Sequence, residues 1–217
     1  MTTLHHPDDE LLMSYAAGAL NEAHAAVIAC HLEFCERCRE RVAEMEIIGG
    51  AFLDAMVLTD VEKSDEAFMT RAMARFHREV QYAPRSLRPA APDPGDENIM
   101  PRPLARATGL RRDIIPWQPL SRGVGYCSLP VLRGSGSLRL INIKPGAAME
   151  AHSHTQDQLM LVLWGAFTLE GKRFQRGDVA RIEAGLAHQP SADSGEGMVC
   201  LAAFAEPEPV HAHHHTH

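Results

Sequence analysis

The sequence predicts an α + β chain with two domains: a small helical domain followed by an antiparallel β-barrel. In the first 80 residues apolar side chains recur at helical spacing, whereas after residue 120 they alternate in short runs separated by turn residues. A proline-rich stretch lies between these patterns, because residues 84–119 hold eight of the 14 prolines. Proline removes a backbone donor and fixes φ, so this stretch separates two folded parts.

The composition shifts set the domain limits. We predict a helical domain over residues 1–83, a loose proline-rich linker over 84–108, a β-barrel over 109–207 that opens near Trp117, and a disordered histidine-rich tail over 208–217.

The composition is that of a folded protein, with 217 residues, 45% hydrophobic content and 23% charged content. The net charge of −7 argues against a dedicated nucleic-acid-binding protein, which usually has a basic face. Positions 1–50 hold nine carboxylates against three arginines, which also disfavours a DNA-binding regulator. An acidic protein that binds a basic partner is compatible with this charge.

The five cysteines, at positions 30, 35, 38, 127 and 200, are odd in number and lack the spacing of a disulfide framework. The chain begins with polar residues and contains no apolar run of about 18 residues. We therefore expect a cytoplasmic protein with reduced thiols and no membrane contact.

The helical domain should contain four helices. Pro7 and the following carboxylates predict the first helix, which ends at Gly18, and Asn21 can cap the second. A third should begin at Glu36 and a fourth near Ser64. The Gly49-Gly50 pair within the third helix indicates a kink. Four short helices make a small core, so a metal would help to stabilise it.

The end of the second predicted helix carries the motif His31-x3-Cys35-x2-Cys38. Three soft or borderline ligands at this spacing can converge on one ion, which suits zinc. His6 is the best candidate for the fourth ligand, and its neighbour His5 is the rival. The alternatives are ordinary buried thiols or a redox pair, but no strand precedes the two cysteines as a thioredoxin-type site requires.

His6 together with the His31, Cys35 and Cys38 motif resembles the zinc-binding anti-sigma domain. The resemblance extends to the run Glu-Leu-Leu-x-x-Tyr-Ala-Ala-Gly-Ala-Leu at positions 10–20. It implies that the helical domain binds an extracytoplasmic-function sigma factor and that Zn²⁺ holds the domain together.

Short apolar runs at 124–132, 138–143, 159–163, 166–169, 179–182 and 198–204 predict the strands of the second domain. Two motifs lie among them. The first is Gly146-x5-His152-x-His154-x3-Gln158, and the second runs from Gly177 to His188. Because alternate residues of a strand point to the same side, His152 and His154 should face the barrel interior, where Gln158 and His188 can join them.

These motifs resemble the two cupin motifs in spacing, with one departure that matters: this chain has Gln158 where the usual cupin has Glu. The resemblance implies a second divalent metal, Zn²⁺ ahead of Fe, Mn or Ni, held by the three histidines with Gln158 as a weaker ligand. Loss of the carboxylate removes one negative charge and would favour an anionic ligand in the open position.

Taken over nearly its whole length, the chain resembles the ChrR-type anti-sigma factors. The resemblance implies a regulator that forms a 1:1 complex with an extracytoplasmic-function sigma factor and releases it when the cupin domain senses singlet oxygen or an organic peroxide. The main alternative is a metal-dependent cupin dioxygenase, because three-histidine cupins include such enzymes. No general acid or base accompanies the predicted cluster, so we assign no catalytic residue.

Overall fold

The computed structural model describes residues 3–55, 70, 71, 74, 100–130 and 136–207. Backbone contacts divide the chain into two units, residues 1–47 with 98–217 and residues 48–97. Residues 70, 71 and 74 are helical, but the rest of the predicted fourth helix lies outside the described residues. So do prolines 84–94 and the histidine-rich tail.

Three helices begin close to the predicted positions: α1 (Asp9–Ala16), α2 (Glu22–Phe34) and α3 (Glu36–Ala55). The Asp8 side chain accepts a hydrogen bond from the Leu11 N–H, and Asn21 does the same for the His24 N–H. Each of these caps satisfies a backbone donor that the first helical turn leaves unpaired.

The C-terminal half of α3 carries large apolar side chains that are exposed. Ile47, Ile48, Phe52 and Leu53 are each 57–72% exposed, whereas Val42 in the preceding half is buried. The helix continues through Gly49-Gly50 without a break. An apolar helix segment of this kind is normally covered.

A short helix, α4 (Arg102–Thr108), lies inside the stretch that we predicted as extended linker, so that prediction is wrong for these residues. Proline in the first turn and Gly109 in the left-handed conformation with φ 67° delimit the helix. Met100 and Leu104 are buried, and the Arg102 guanidinium donates to the Glu33 carboxylate on α2 at 2.8 Å. Residues 100–108 therefore pack as part of the folded unit.

The second half is an eight-stranded antiparallel sheet with the cupin fold. Its strands are β1 (Gln118–Ser121), β2 (Val124–Leu129), β3 (Ser137–Ile143), β4 (Gln158–Leu169), β5 (Lys172–Gln175), β6 (Val179–Ile182), β7 (Ser191–Ala192) and β8 (Met198–Phe204). The main hydrogen-bonded order is β1-β2-β3-β8-β4-β5, and β6 and β7 also pair with β4.

The predicted strands at 159–163 and 166–169 are in fact one strand, β4. A bulge between Val162 and Trp164 interrupts its register with β8 but not the strand itself. Before the bulge β4 pairs with β6, and after it β4 pairs with β5 and β7. The bulge thus lets one strand contribute to two sets of pairings.

The alternation of β4 separates two apolar cores. Leu159 and Leu161 belong to a cluster that also contains Val27 and Ile28 of α2, so this face of the sheet packs against the helices. Met160 and Val162 belong to the other cluster, which also contains Phe204 and lies on the opposite face of the sheet. Within residues 3–47, 100–130 and 136–207, the helices and the cupin sheet therefore share a core.

No helix in the described part of the chain combines the length and the apolar character needed to cross a membrane.

The turn between β5 and β6 is closely packed against the N-terminal segment at Gly177, which gives a first prediction. A Cβ at Gly177, where φ is +91°, would lie 2.7 Å from Thr3 Cγ2 and 2.9 Å from Phe34 Cβ. Gly171 has a similar φ of +77° with nothing within 4 Å. We expect Gly177→Ala to lower the free energy of unfolding by about 1–3 kcal/mol more than Gly171→Ala, because only the first adds overpacking to backbone strain.

Urea unfolding of both variants measures this difference. Equal losses of stability at the two glycines would show that the β5–β6 turn and the N-terminal segment are not in close contact.

Candidate metal centres

The first cluster contains the four residues that the sequence predicted: His6, His31, Cys35 and Cys38. Their ligand atoms all lie within 4.8 Å of one another. His6 Nδ1 is 3.3 Å from Cys35 Sγ and 3.5 Å from Cys38 Sγ. Two ligands bound tetrahedrally to one zinc ion at the usual Zn–N and Zn–S lengths are roughly 3.5 Å apart, so the arrangement fits zinc. These four residues are called the zinc site below.

His31 is oriented by the cupin sheet. Its Nδ1 lies 2.7 Å from the backbone carbonyl oxygen of Gly177, and a carbonyl only accepts, so Nδ1 carries the proton. The other ring nitrogen, Nε2, is buried and has no hydrogen-bond partner. Burial lowers the pKa of His31 to about 4. The imidazole is therefore neutral, with its free lone pair available to a metal.

The structure places His6, and not its rival His5, in the cluster. His5 points elsewhere, because its Nε2 lies 3.1 Å from the Arg173 carbonyl oxygen and its ring packs on Phe174. Burial, followed by the charge of Arg37, lowers the pKa of His6, which also favours a neutral imidazole.

Asp178, which follows Gly177 in the β5–β6 turn, holds the N-terminal segment in place. Its side chain is fully buried, and its Oδ1 accepts hydrogen bonds from the N–H groups of Leu4 at 2.7 Å and His5 at 3.2 Å. Its Oδ2 accepts from the Gln175 N–H at 3.0 Å. The Val179 N–H then donates to the His5 carbonyl at 3.1 Å. The chain entering His6 is thus fixed by the cupin sheet.

The second cluster contains His152, His154 and His188, whose ligand atoms also lie within 4.8 Å of one another. His152 and His188 face each other across two backbone hydrogen bonds of 3.1 and 2.8 Å. Their Nδ1 atoms lie 2.8 Å from the Glu150 carbonyl oxygen and 3.1 Å from the Leu186 carbonyl oxygen. As at His31, Nδ1 of both rings carries the proton, which leaves Nε2 as the nitrogen that can bind a metal.

Gln158 opens β4 and pairs with Ile182 of β6 and Phe204 of β8. It is only 2% exposed, and its side-chain Oε1 is buried without a hydrogen-bond partner. His188 Nε2 is likewise buried and without a partner. Such orphaned acceptors carry a desolvation cost unless something binds them, so the donor set fits a metal. The three histidines and Gln158 are called the cupin site below.

An ion-pair bridge connects the neighbourhoods of the two sites. Arg181 of β6 contacts Asp8, the cap of α1, at 3.0 Å and Asp157, which precedes Gln158, at 2.8 Å. Asp157 also accepts a hydrogen bond from the Ala184 N–H at 3.0 Å. These contacts lower the pKa of Asp157, with the Arg181 hydrogen bond as the largest cause.

Cys30 and Cys200 lie outside both clusters. Burial raises the pKa of each thiol to about 12, so both are protonated and poorly reactive. Cys200 is a small residue of the apolar core, with no exposed surface.

Comparison with known proteins agrees with both halves of this geometry. Residues 9–39 match the family described as "Putative zinc-finger", and residues 106–206 match the family described as "ChrR Cupin-like domain". The chain is 37% identical over 207 residues to the anti-sigma-E factor ChrR of Cereibacter sphaeroides, covering 95% of this chain and 92% of that protein.

This chain belongs to the ChrR family. A crystal structure of Rhodobacter sphaeroides SigE in complex with the anti-sigma ChrR is also similar, with a TM-score of 0.74 and 34% identity. That match covers 94% of this chain and the whole of the matched chain. The predicted combination of a zinc-binding helical part and a cupin is therefore confirmed.

Sequence reasoning missed Asp178. The residue follows a glycine of the second cupin motif, and its position in a short turn resembles that of any exposed turn residue. A carboxylate next to a motif glycine is the only available signal. Its partners, Leu4 and His5, lie more than 170 positions away, so no local pattern could identify them.

The contacts of Asp178 give a second prediction. Asp178→Asn keeps the size and shape of the side chain but replaces one carboxylate oxygen by an NH2 group. That group is a donor and cannot accept a hydrogen bond from the three surrounding N–H groups. We expect this variant to release zinc roughly 10–100-fold faster, as is typical when groups that orient metal ligands are lost. The measurement is transfer of zinc to a chromophoric chelator.

Asp193→Asn is the matched control. Asp193 makes a partly exposed ion pair with Arg173, which contributes at most about 1 kcal/mol to stability. Equal zinc release from the two variants would contradict a specific role for Asp178 at the zinc site.

Proposed function

We propose that this chain is a cytoplasmic anti-sigma factor that binds an extracytoplasmic-function sigma factor as a 1:1 heterodimer. In this proposal the helical part holds the sigma factor, and the cupin part controls its release under oxidative stress. The observation that carries the proposal is the similarity over almost the entire chain to a protein named for sigma inhibition and to a ChrR chain crystallised with SigE.

The exposed apolar segment of α3 supports a protein partner. Ile47, Ile48, Phe52 and Leu53 lie within seven consecutive residues and are each more than half exposed. Single exposed apolar residues are common, but a contiguous group of large ones usually marks an interaction surface. We propose that the sigma factor covers this segment. The acidic balance of residues 1–50 suits the basic surface of a protein that binds nucleic acid.

We propose His6, His31, Cys35 and Cys38 as the ligands of a structural zinc ion. Four protein ligands close the coordination sphere, as expected for a site that stabilises a fold and does not carry out catalysis. Zinc would tie the segment before α1 to the junction between α2 and α3, and thereby fix the helices that present the sigma-binding surface.

We propose His152, His154, Gln158 and His188 as the ligands of a second divalent ion, whose charge balance differs from that in cupins with a glutamate at this position. In this proposal the ion serves to sense an oxidant, because a bound ion provides an open position at which the oxidant or its product can act. A regulatory role agrees better with the ChrR family than turnover of a substrate does.

The contacts between the cupin and the zinc site support a route for release. Gly177 and Asp178 lie between strands β5 and β6, and β6 pairs with β4 at Gln158. The Arg181 bridge from Asp157 to Asp8 runs beside this path. A rearrangement at the cupin site would therefore reach His6 and His31 through directly bonded residues. The trigger implied by the resemblance is singlet oxygen or an organic peroxide.

The apolar segment of α3 gives a third prediction, in which two isoleucines of equal exposure are compared. Ile48 and Ile114 are each 57% exposed, but only Ile48 lies on α3. We expect Ile48→Glu to weaken binding to the cognate sigma factor by roughly 10–100-fold, because it places a charge in an apolar interface core. Ile114→Glu should change affinity by less than about threefold.

The affinity is measured with the purified sigma factor by titration calorimetry, after affinity capture from the native host has identified it. Thermal unfolding checks that both variants are as stable as the wild type, which exposed positions predict. Similar affinities for both variants would exclude α3 as the docking surface. Absence of any captured sigma factor from unstressed cells would contradict the proposed function itself.

The proposed trigger gives a fourth prediction. Illumination of the complex with a singlet-oxygen-generating dye should release the sigma factor from the wild type and leave it bound to a His152→Ala/His188→Ala variant. The release is followed by size-exclusion chromatography under limited light. If both complexes dissociate at the same rate, the cupin site is not the sensor, and direct oxidation of the zinc thiolates would account for release.

A further inference from the structure

We infer that the cupin site is an anion-binding site, which takes a small carboxylate in the coordination position that its four protein donors leave open. The inference rests on the proposed divalent ion at this site and adds the chemical class of the ligand. Three observations carry it: the neutrality of the donor set, the absence of a compensating buried carboxylate among the described residues, and the partial exposure of the cluster at His152.

The donor set contributes no negative charge. The Nδ1 protons of His152 and His188 are directed to backbone carbonyls, which makes both rings neutral ligands through Nε2. Gln158 offers a neutral amide oxygen that is buried and lacks a hydrogen-bond partner. A divalent ion held by these groups and by His154 keeps its full charge of +2, because no ligand is ionised.

The surroundings do not neutralise that charge. Among the described residues, Asp178 is the only buried carboxylate, and both its oxygens accept N–H groups of the β5–β6 turn and the N-terminal segment. The next two β4 residues on the side of Gln158 are Met160 and Val162, which both belong to the apolar core cluster that contains Phe204. In such a medium an uncompensated charge attracts an anion more strongly than it does in water.

Asp157, Glu150 and Glu170 are carboxylates that lie outside this buried interior. Asp157 is paired with Arg181 and accepts the Ala184 N–H, and Glu150 and Glu170 are exposed. Solvent screens exposed charges, so these groups compensate little of the charge within the site.

Access to the cluster is from the side of His152. His188 and Gln158 are 4% and 2% exposed, whereas His152 is half-buried. Four neutral donors leave at least one position open in five- or six-coordinate ions and in zinc sites where the amide binds weakly. A carboxylate arriving there supplies from solution the charge that a glutamate at position 158 would supply from the chain.

The test uses the full-length protein loaded with Co²⁺, whose absorption bands report its ligands. The thiolate bands of the zinc site serve as an internal reference, because Cys35 and Cys38 belong only to that site. Sodium acetate is titrated at constant ionic strength set with perchlorate, and neutral acetamide is the matched probe. The wild type is compared with Gln158→Glu.

We expect acetate, but not acetamide, to shift the cobalt bands of the cupin site in the wild type. The half-saturating acetate concentration should be at least about fivefold lower than in Gln158→Glu, since one unit charge near the ion is worth about this factor even in water. Equal half-saturation in both proteins, or no shift while cobalt is bound at both sites, would overturn the inference. Cobalt binding at the thiolate site alone would overturn the proposed cupin metal, which is a distinguishable result.

Discussion

The arrangement of this protein depends on one turn, Gln175–Asp178, which connects β5 with β6. Its Asp178 carboxylate accepts hydrogen bonds from the N–H groups of Leu4 and His5, and its Gly177 carbonyl accepts a hydrogen bond from His31 Nδ1. Two of the four zinc-site residues are thus positioned by the cupin sheet. A carboxylate that accepts several backbone N–H groups in a buried setting makes strong, directional contacts, so this junction is far more specific than apolar packing alone.

The junction has a consequence for regulation. Because β6 contacts the N-terminal segment at Val179 and pairs with Gln158 at Ile182, it touches the neighbourhoods of both clusters within four residues. If the cupin site has two states that orient β6 differently, the zinc site must favour one of them. Thermodynamic linkage then requires the zinc site to influence the cupin site equally in return.

The local features could be predicted from the sequence, and the limits of prediction follow from chain separation. Asp8 and Asn21 indicate two helix starts because a cap needs only its neighbours, and the spacing of His31, Cys35 and Cys38 indicates one ion because a helix end brings them together. His152 and His188 are 36 positions apart, and they could be predicted to lie together only because each belongs to one of the two cupin motifs. By contrast, α4 is hidden among prolines, although Pro103 and Gly109 suit its two ends.

Two further features cannot be predicted from local patterns. The sequence of β4 predicts two strands, because Gly165 next to the bulge interrupts the apolar run as a turn residue would. The packing of the helices on the outer face of the sheet is also hidden. Leu159 and Leu161 alternate with Met160 as in any two-sided strand, and periodicity does not reveal which partner covers each face.

The most direct test of the central claim is amide hydrogen exchange of the full-length protein before and after removal of zinc. If the zinc site and the β5–β6 turn form one junction, the amides of Leu4, His5 and Val179 should lose protection together when zinc is removed. The amides of β3 and β8, which do not pair with β6, should keep theirs. Unchanged protection of Val179 after loss of zinc would contradict the account, because the cupin would then be indifferent to the site it is proposed to control.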